Sequence, residues 1–198
     1  MKRSVFLGLA LAVGLVANAS ANQSYDQFVD KMLKGKVSQW IQDPLVVESV
    51  KAQNAKHAAL TQDDIDKLDK RWRAEKVSNN HPLIDEVLAN PLSEFLRKIK
   101  EESDGLLSEV FIMDDKGLNV GQSDVTSDYW QGDEAKWQNT YLVGPDAVFV
   151  DEREFDDSSR KFLIQVNIPV IDPLTKTPIG AATIGVSLVK LIRLGATQ

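Results

Sequence analysis

The sequence predicts an α+β domain, and three observations predict it. Apolar residues recur at helical spacing from Tyr25 to Ile99, short runs rich in β-formers and bounded by turn residues fill Val110 to Leu188, and the two patterns follow one another along the chain. Helices first and antiparallel strands after give long N-terminal helices packed on a central antiparallel sheet of about five strands.

Element by element, Ser24 is placed to cap a helix in which Tyr25, Phe28, Val29, Met32, Leu33, Val37, Trp40 and Ile41 form one stripe. Asp43 followed by Pro44 reads as a cap and first-turn proline, so the chain kinks or restarts there as a helix to about His57. Thr61 with Asp64 three residues on is a capping box that opens a helix bearing Ile65, Leu68 and Trp72. Lys76 to His81 is a polar loop. Beyond Pro82, Ile84, Val87, Leu88, Leu92, Phe95, Leu96 and Ile99 again keep helical spacing, and Asn90–Pro91 marks a kink or a fresh cap.

Val110 to Met113, the turn Asp114–Gly117 and Leu118 to Gln122 read as a hairpin. Val148 to Phe155 and Lys161 to Ile171 form a second, with Asp156 to Arg160 as its connection, and Ile179 to Leu188 supplies the last strand. Phe162, Ile164, Val166 and Ile168 share one face and Leu163, Gln165 and Asn167 the other; Ala182, Ile184, Val186 and Leu188 oppose Ala181, Thr183, Gly185 and Ser187. One face is core. The other is small and polar, which suits the wall of a polar cavity, a solvent face or a helix seat alike.

Lys2 and Arg3 precede the apolar run Val5 to Ala17, and small residues follow at Ala19 and Ala21. That layout is a cleavable secretory signal, and the run is shorter than the ~20 residues of a membrane span. The expected organisation is therefore a leader over residues 1–21, a helical segment over 22–104 and a sheet-and-pocket segment over 105–198, the last two forming one domain. The expected location is periplasmic or secreted, after cleavage near Ala21. Loss of the leader takes two basic charges from 23 and leaves all 29 acidic ones, a net charge of −8. An acidic chain without a basic cluster repels phosphate backbones, so nucleic acid is not expected as a partner.

With no cysteine in the sequence and two separated histidines, His57 and His81, read as solvated surface residues, neither a disulfide framework nor a zinc site is expected. The many acids do not follow the calcium-loop pattern, and Ser158–Ser159 lacks a nucleophile elbow. The expectation is binding without catalysis and without a cofactor.

The candidate site is the block "TSDYWQGDEAKWQ", Thr126 to Gln138, which holds two of the four tryptophans and Tyr129 among acids and amides. Aromatic faces beside carboxylates favour cations, and Asp128, Tyr129, Trp130 and Trp137 have the composition of such a box. Arg153, Arg160 or Lys161 would instead suit a small acid. Equally, Trp130 and Trp137, seven apart, would share a helical face and pack on the sheet.

In order, "EVFIMDDKGLNVGQS", the aromatic block, "FLIQVNIPVID" and "PIGAATIGVSLVKL" resemble the extracytoplasmic PAS-like sensor domains called Cache or PDC domains, over roughly Tyr25 to Leu191. The resemblance implies a small-molecule pocket closed by the aromatic segment, with Asp128, Tyr129, Trp130, Trp137, Tyr141, Gln165 and Asn167 as its residues. It also implies signal perception and dimerisation through the N-terminal helix, although intramolecular packing would use the same stripe; with no output module in the sequence, the expected output passes through a separate membrane receptor or kinase. In the amino-acid-binding branch an arginine follows the first aromatic by five positions and an aspartate lies late in the final strand; here Ala135, Gln138 and Ser187 replace the arginine, the second tyrosine and the aspartate. No carboxylate clamp or amine partner remains at those positions, so a free amino acid is not the expected ligand.

Overall fold

The computed structural model describes residues 30–32, 35, 37–156 and 161–195, and leaves the side chains of 152–156, 161–163, 194 and 195 undescribed. The leader and most of the Tyr25–Ile41 stripe lie outside these residues. Two compact units are present, residues 1–40 and 41–198. In the first, Ser38–Trp40 forms a short helical piece, and the Ser38 hydroxyl donates to the Gly35 carbonyl.

The second unit contains the helices and the sheet. Helix α1, Pro44–His57, starts as the Asp43–Pro44 pair predicts, with the Asp43 carboxylate accepting from Leu45 N–H. Helix α2, Gln62–Glu75, opens on the complete Thr61/Asp64 capping box. After the loop come α3, Pro82–Leu88, and α4, Pro91–Glu101, separated by a fresh cap at Asn90 whose side chain accepts from Ser93 N–H. Asn90–Pro91 thus stops one helix and starts another, since proline at the first helical position loses no hydrogen bond there.

Five strands follow: β1 Leu107–Met113, β2 Asn119–Gln122, β3 Phe149–Asp156, β4 Lys161–Ile171 and β5 Pro178–Ser187. A four-residue helix, α5, Ala135–Gln138, lies between β2 and β3, and α6, Leu188–Gly195, follows β5. The strands form one open antiparallel PAS-like sheet in the order β2-β1-β5-β4-β3. The β1–β2 turn needs Gly117, which sits at φ +82° and so close to the Gly132 backbone that a Cβ would meet it at 2.5 Å.

Register assigns the two faces. Ile112 opposes Gly121 on β2 and Ala182 on β5, and a Cβ at Gly121 would meet the Leu92 side chain of α4 at 2.7 Å. The face of Val110, Ile112, Ile184, Val186 and Val166 therefore carries α4, and these five are buried with Leu92 and Leu96. The other face carries Phe111, Met113, Ala181, Thr183, Gln165 and Asn167. It too is covered: Phe111, Met113 and Ala181 pack with Trp137 of α5 and with Tyr141. Among the described residues, no helix is long and apolar enough to cross a membrane.

Candidate functional site

The aromatic block is split between two places. Asp128, Tyr129 and Trp130 belong to the helical side: Tyr129 stacks on Trp72 of α2, ring centroids 5.3 Å apart, and packs with Ile65, Leu83, Ile84, Val87 and Leu118. The Asp69 carboxylate of α2 accepts from the backbone N–H groups of both Tyr129 and Trp130, and Arg73 bridges Asp69 and Asp128 at 2.7 and 3.2 Å. The Trp130 indole N–H donates to the Lys116 carbonyl, and Leu118 forms a bridge with Trp130. These three residues fasten the segment after β2 to α2 and to the hairpin turn. Burial pushes the Tyr129 hydroxyl far above its ordinary range, and the nearby Asp114 and Glu86 charges add to the effect.

Trp137 and Tyr141 lie against the other face. They stack on each other with centroids 4.9 Å apart, and the Trp137 indole N–H donates to the Asp114 carbonyl at 3.1 Å. Because α5 spans only Ala135–Gln138, Trp130 is not on the helix of Trp137, and the shared helical face expected for the pair is absent. Trp137 alone packs on the sheet.

Gln165 and Asn167 are on this same face. Phe111, Thr183, Asn167 and Phe149 stand in one cross-strand row, with Glu109, Gly185, Gln165 and Asp151 in the next. Asn167 is fully buried: its amide donates to the carbonyls of Phe149 and Gln165, and its oxygen accepts from the Thr183 hydroxyl at 2.8 Å. Gln165 is 8% exposed, and its amide N–H donates to the Glu109 carboxylate at 3.1 Å. That bond sets the amide's orientation, since a carboxylate only accepts, and it leaves Gln165 Oε1 buried without a partner. Lys136 adds a cation over the Phe111 ring, 5.6 Å from its centroid, and pairs with Glu134. The side chains of Arg153, Arg160 and Lys161 lie outside the description.

The structure thus places Trp137, Tyr141, Gln165 and Asn167 on one face of the sheet, and adds Phe111, Glu109, Lys136 and Thr183 to it. Glu109 and Phe111 were legible as strand residues, but their face depends on the β1–β5 register, which no local pattern fixes.

The histidine reading is corrected. His57 is buried, 6% exposed, and its Nδ1 lies 2.9 Å from the Asp114 carboxylate, itself fully buried. Asp114 Oδ2 also accepts from Gln53 Nε2, while Oδ1 accepts from the N–H groups of Lys116 and Leu118. His57 ends α1, and the packing of α1 against the hairpin, not the polarity of its neighbours in sequence, takes it out of water. His81 is exposed, precedes α3 and pairs with Asp85 in that helix.

No family model matches the chain, and no curated protein does. Solved structures do resemble it. The sensor domain of the V. cholerae histidine kinase DctB is 12% identical over 87% of this chain and 57% of that one, with a TM-score of 0.38. For the sensory domain of the Campylobacter jejuni chemoreceptor Tlp3 the figures are 12%, 84% and 63%, with a TM-score of 0.39. The ligand-binding domain of the Pseudomonas fluorescens chemoreceptor CtaA, solved with L-serine, is 12% identical over 66% of this chain and 61% of that one, at 0.40. The chain thus spans 57 to 63% of the length of these three sensor domains.

Proposed function

We propose that this chain is an exported sensor domain of the Cache or PDC kind, which binds a small polar molecule on the sheet face beneath Trp137 and Tyr141 without turning it over. The observation that carries the reading is the buried polar row on that face. A face that served packing alone would be apolar, because a buried polar group without a partner costs about 1–3 kcal/mol. Here Gln165, Asn167 and Thr183 are buried side by side, and Gln165 Oε1 makes no hydrogen bond. Apolar and aromatic walls with a few fixed polar groups are the usual composition of a small-molecule site. Of the motifs that resemble the sensor family, the strands and Trp137 contribute to this face, while Asp128, Tyr129 and Trp130 stay on the helical side. Output through a separate membrane receptor or kinase, and pairing of two copies through the N-terminal helix, are parts of the same proposal.

A thermal-shift screen of the purified chain against organic acids, polyamines, quaternary amines and purines tests it, with calorimetry on each hit. A ligand at 100 times its Kd adds about 2.7 kcal/mol to stability, a clear shift in Tm. Gln165→Leu is expected to abolish the hit while keeping the fold, since it replaces an unsatisfied buried amide with an apolar side chain of similar size. If every class fails to bind, the chain is instead a pocketless interaction module and its partner is a protein.

A further inference from the structure

Two adjacent acids in the β1–β2 turn differ in one respect that bears on the ligand. Asp114 spends both carboxylate oxygens on the protein, in bonds from Lys116, Leu118, Gln53 and His57. Asp115 does not. Its backbone N–H is held by Asn54 of α1 at 3.0 Å, which fixes where the residue sits, yet its Oδ1 is shielded from solvent and has no hydrogen-bond partner. Among the described residues it forms no ion pair.

The aromatic pair sits against the same turn. The Trp137 indole is tied to the carbonyl of Asp114, one residue before Asp115, and Tyr141 stacks on Trp137. Tyr141 is close enough to feel both acids: burial raises its hydroxyl pKa, with Asp115 and then Asp114 adding to the rise.

We propose that Asp115 is the anionic half of a cation site whose other half is the stacked Trp137–Tyr141 pair, so that the molecule taken on this face carries a protonated amine. This rests on the reading of that face as a ligand site. A carboxylate only accepts, so the free oxygen of Asp115 asks for a donor, and a positive donor serves it best. The neighbouring ring faces attract cations and repel anions. A hard divalent metal would need several oxygen ligands together, whereas here one free carboxylate oxygen belongs to the turn that holds the Trp137 indole, and no group of acids and histidines among the described residues is arranged to hold a metal. The amine is bound from the turn side, at a position remote from the late-strand aspartate that Ser187 replaces.

Isothermal calorimetry with butylamine, putrescine, tetramethylammonium and butyrate, on the chain and on Asp115→Asn, tests the assignment. Butylamine or putrescine is expected to bind, tetramethylammonium more weakly because it has no N–H to donate, and butyrate not at all. Asp115→Asn is expected to weaken the amine by about tenfold or more, the range for a hydrogen bond to a charged group, while its Tm is no lower than the parent's. Tyr141→Leu, at a half-buried position, should weaken the amine independently of the turn. Undiminished amine affinity in either variant overturns the assignment. Binding of an organic acid or purine that depends on Gln165, with no amine binding, overturns it and leaves the ligand site standing; silence from every class removes both.

Discussion

Asp114 and Asp115 show how one covalent step changes the work of a carboxylate. Asp114 joins α1, the hairpin turn and, through its carbonyl, Trp137, whereas burial and the Asp114 charge push the Asp115 carboxyl above its ordinary value. The charges of Lys116 and His57 act in the opposite direction on Asp115 and are outweighed. A carboxyl with a raised folded pKa binds its proton more tightly folded than unfolded. Its contribution to stability is therefore lost as pH rises from the unfolded value, 3.8, through the raised one. Melts across this window should show a descending contribution that Asp115→Asn removes; an unchanged pH profile in that variant would count against an isolated acid there. Trp72 is the residue-scale anchor of the helical side, fully buried, stacked on Tyr129 and donating to the Thr126 carbonyl at 3.1 Å. Trp72→Ala should cost about 3–5 kcal/mol in denaturant unfolding and release the segment that carries Asp128 to Trp130.

At the scale of elements, three helix starts are self-contained: Asp43, Thr61 and Asn90 cap their own helices. Helix α3 takes its cap from another element. His81 gives it no side-chain cap, and Glu75, at the end of α2, reaches across to accept from Leu83 and Ile84 N–H at 2.7 and 3.1 Å while Arg71 pairs with its other oxygen. Burial pushes the Glu75 carboxyl up, but these donors more than offset it and hold the group below its ordinary value of 4.5. The sign is opposite to that of Asp115. Glu75 contributes fully above the unfolded value, and its contribution disappears as pH falls through the lowered folded one. Glu75→Gln should lower stability at neutral pH and flatten the acid limb of the profile; a variant as stable as the parent at neutral pH would show that α3 needs no cap.

For the whole molecule, α1 and α4 lie on one face of the sheet, with Val50 over Gly180 and Leu92 over Gly121, and the short aromatic segment lies on the other. The proposed export predicts that the protein recovered from the periplasm starts near Asn22, which intact mass spectrometry reads directly; retention of residues 1–21 would refute cleavage. The proposed pairing through the N-terminal helix predicts a dimer in light scattering across a concentration series, and a monomer throughout would assign that stripe to packing within one chain.

Local sequence signals specify the elements and their order. Caps, turn glycines and periodicity act within a few residues, so Asp43–Pro44, Thr61/Asp64, Asn90–Pro91 and the Asp114–Gly117 turn are each visible locally, and the strands fall where alternation places them. Alternation also separated Gln165 and Asn167 from the core-facing set. What it could not supply was the burial of their face, the division of the aromatic block between two sides of the domain, or the fate of His57. Those depend on strand register and on contacts between residues more than 50 positions apart, such as His57 with Asp114, Trp72 with Thr126 and Asp69 with Tyr129. Packing free energy belongs to surfaces that meet only in the folded chain, and so long-range contacts select which of the aromatic residues join the helical core and which pack on Phe111, Met113 and Ala181.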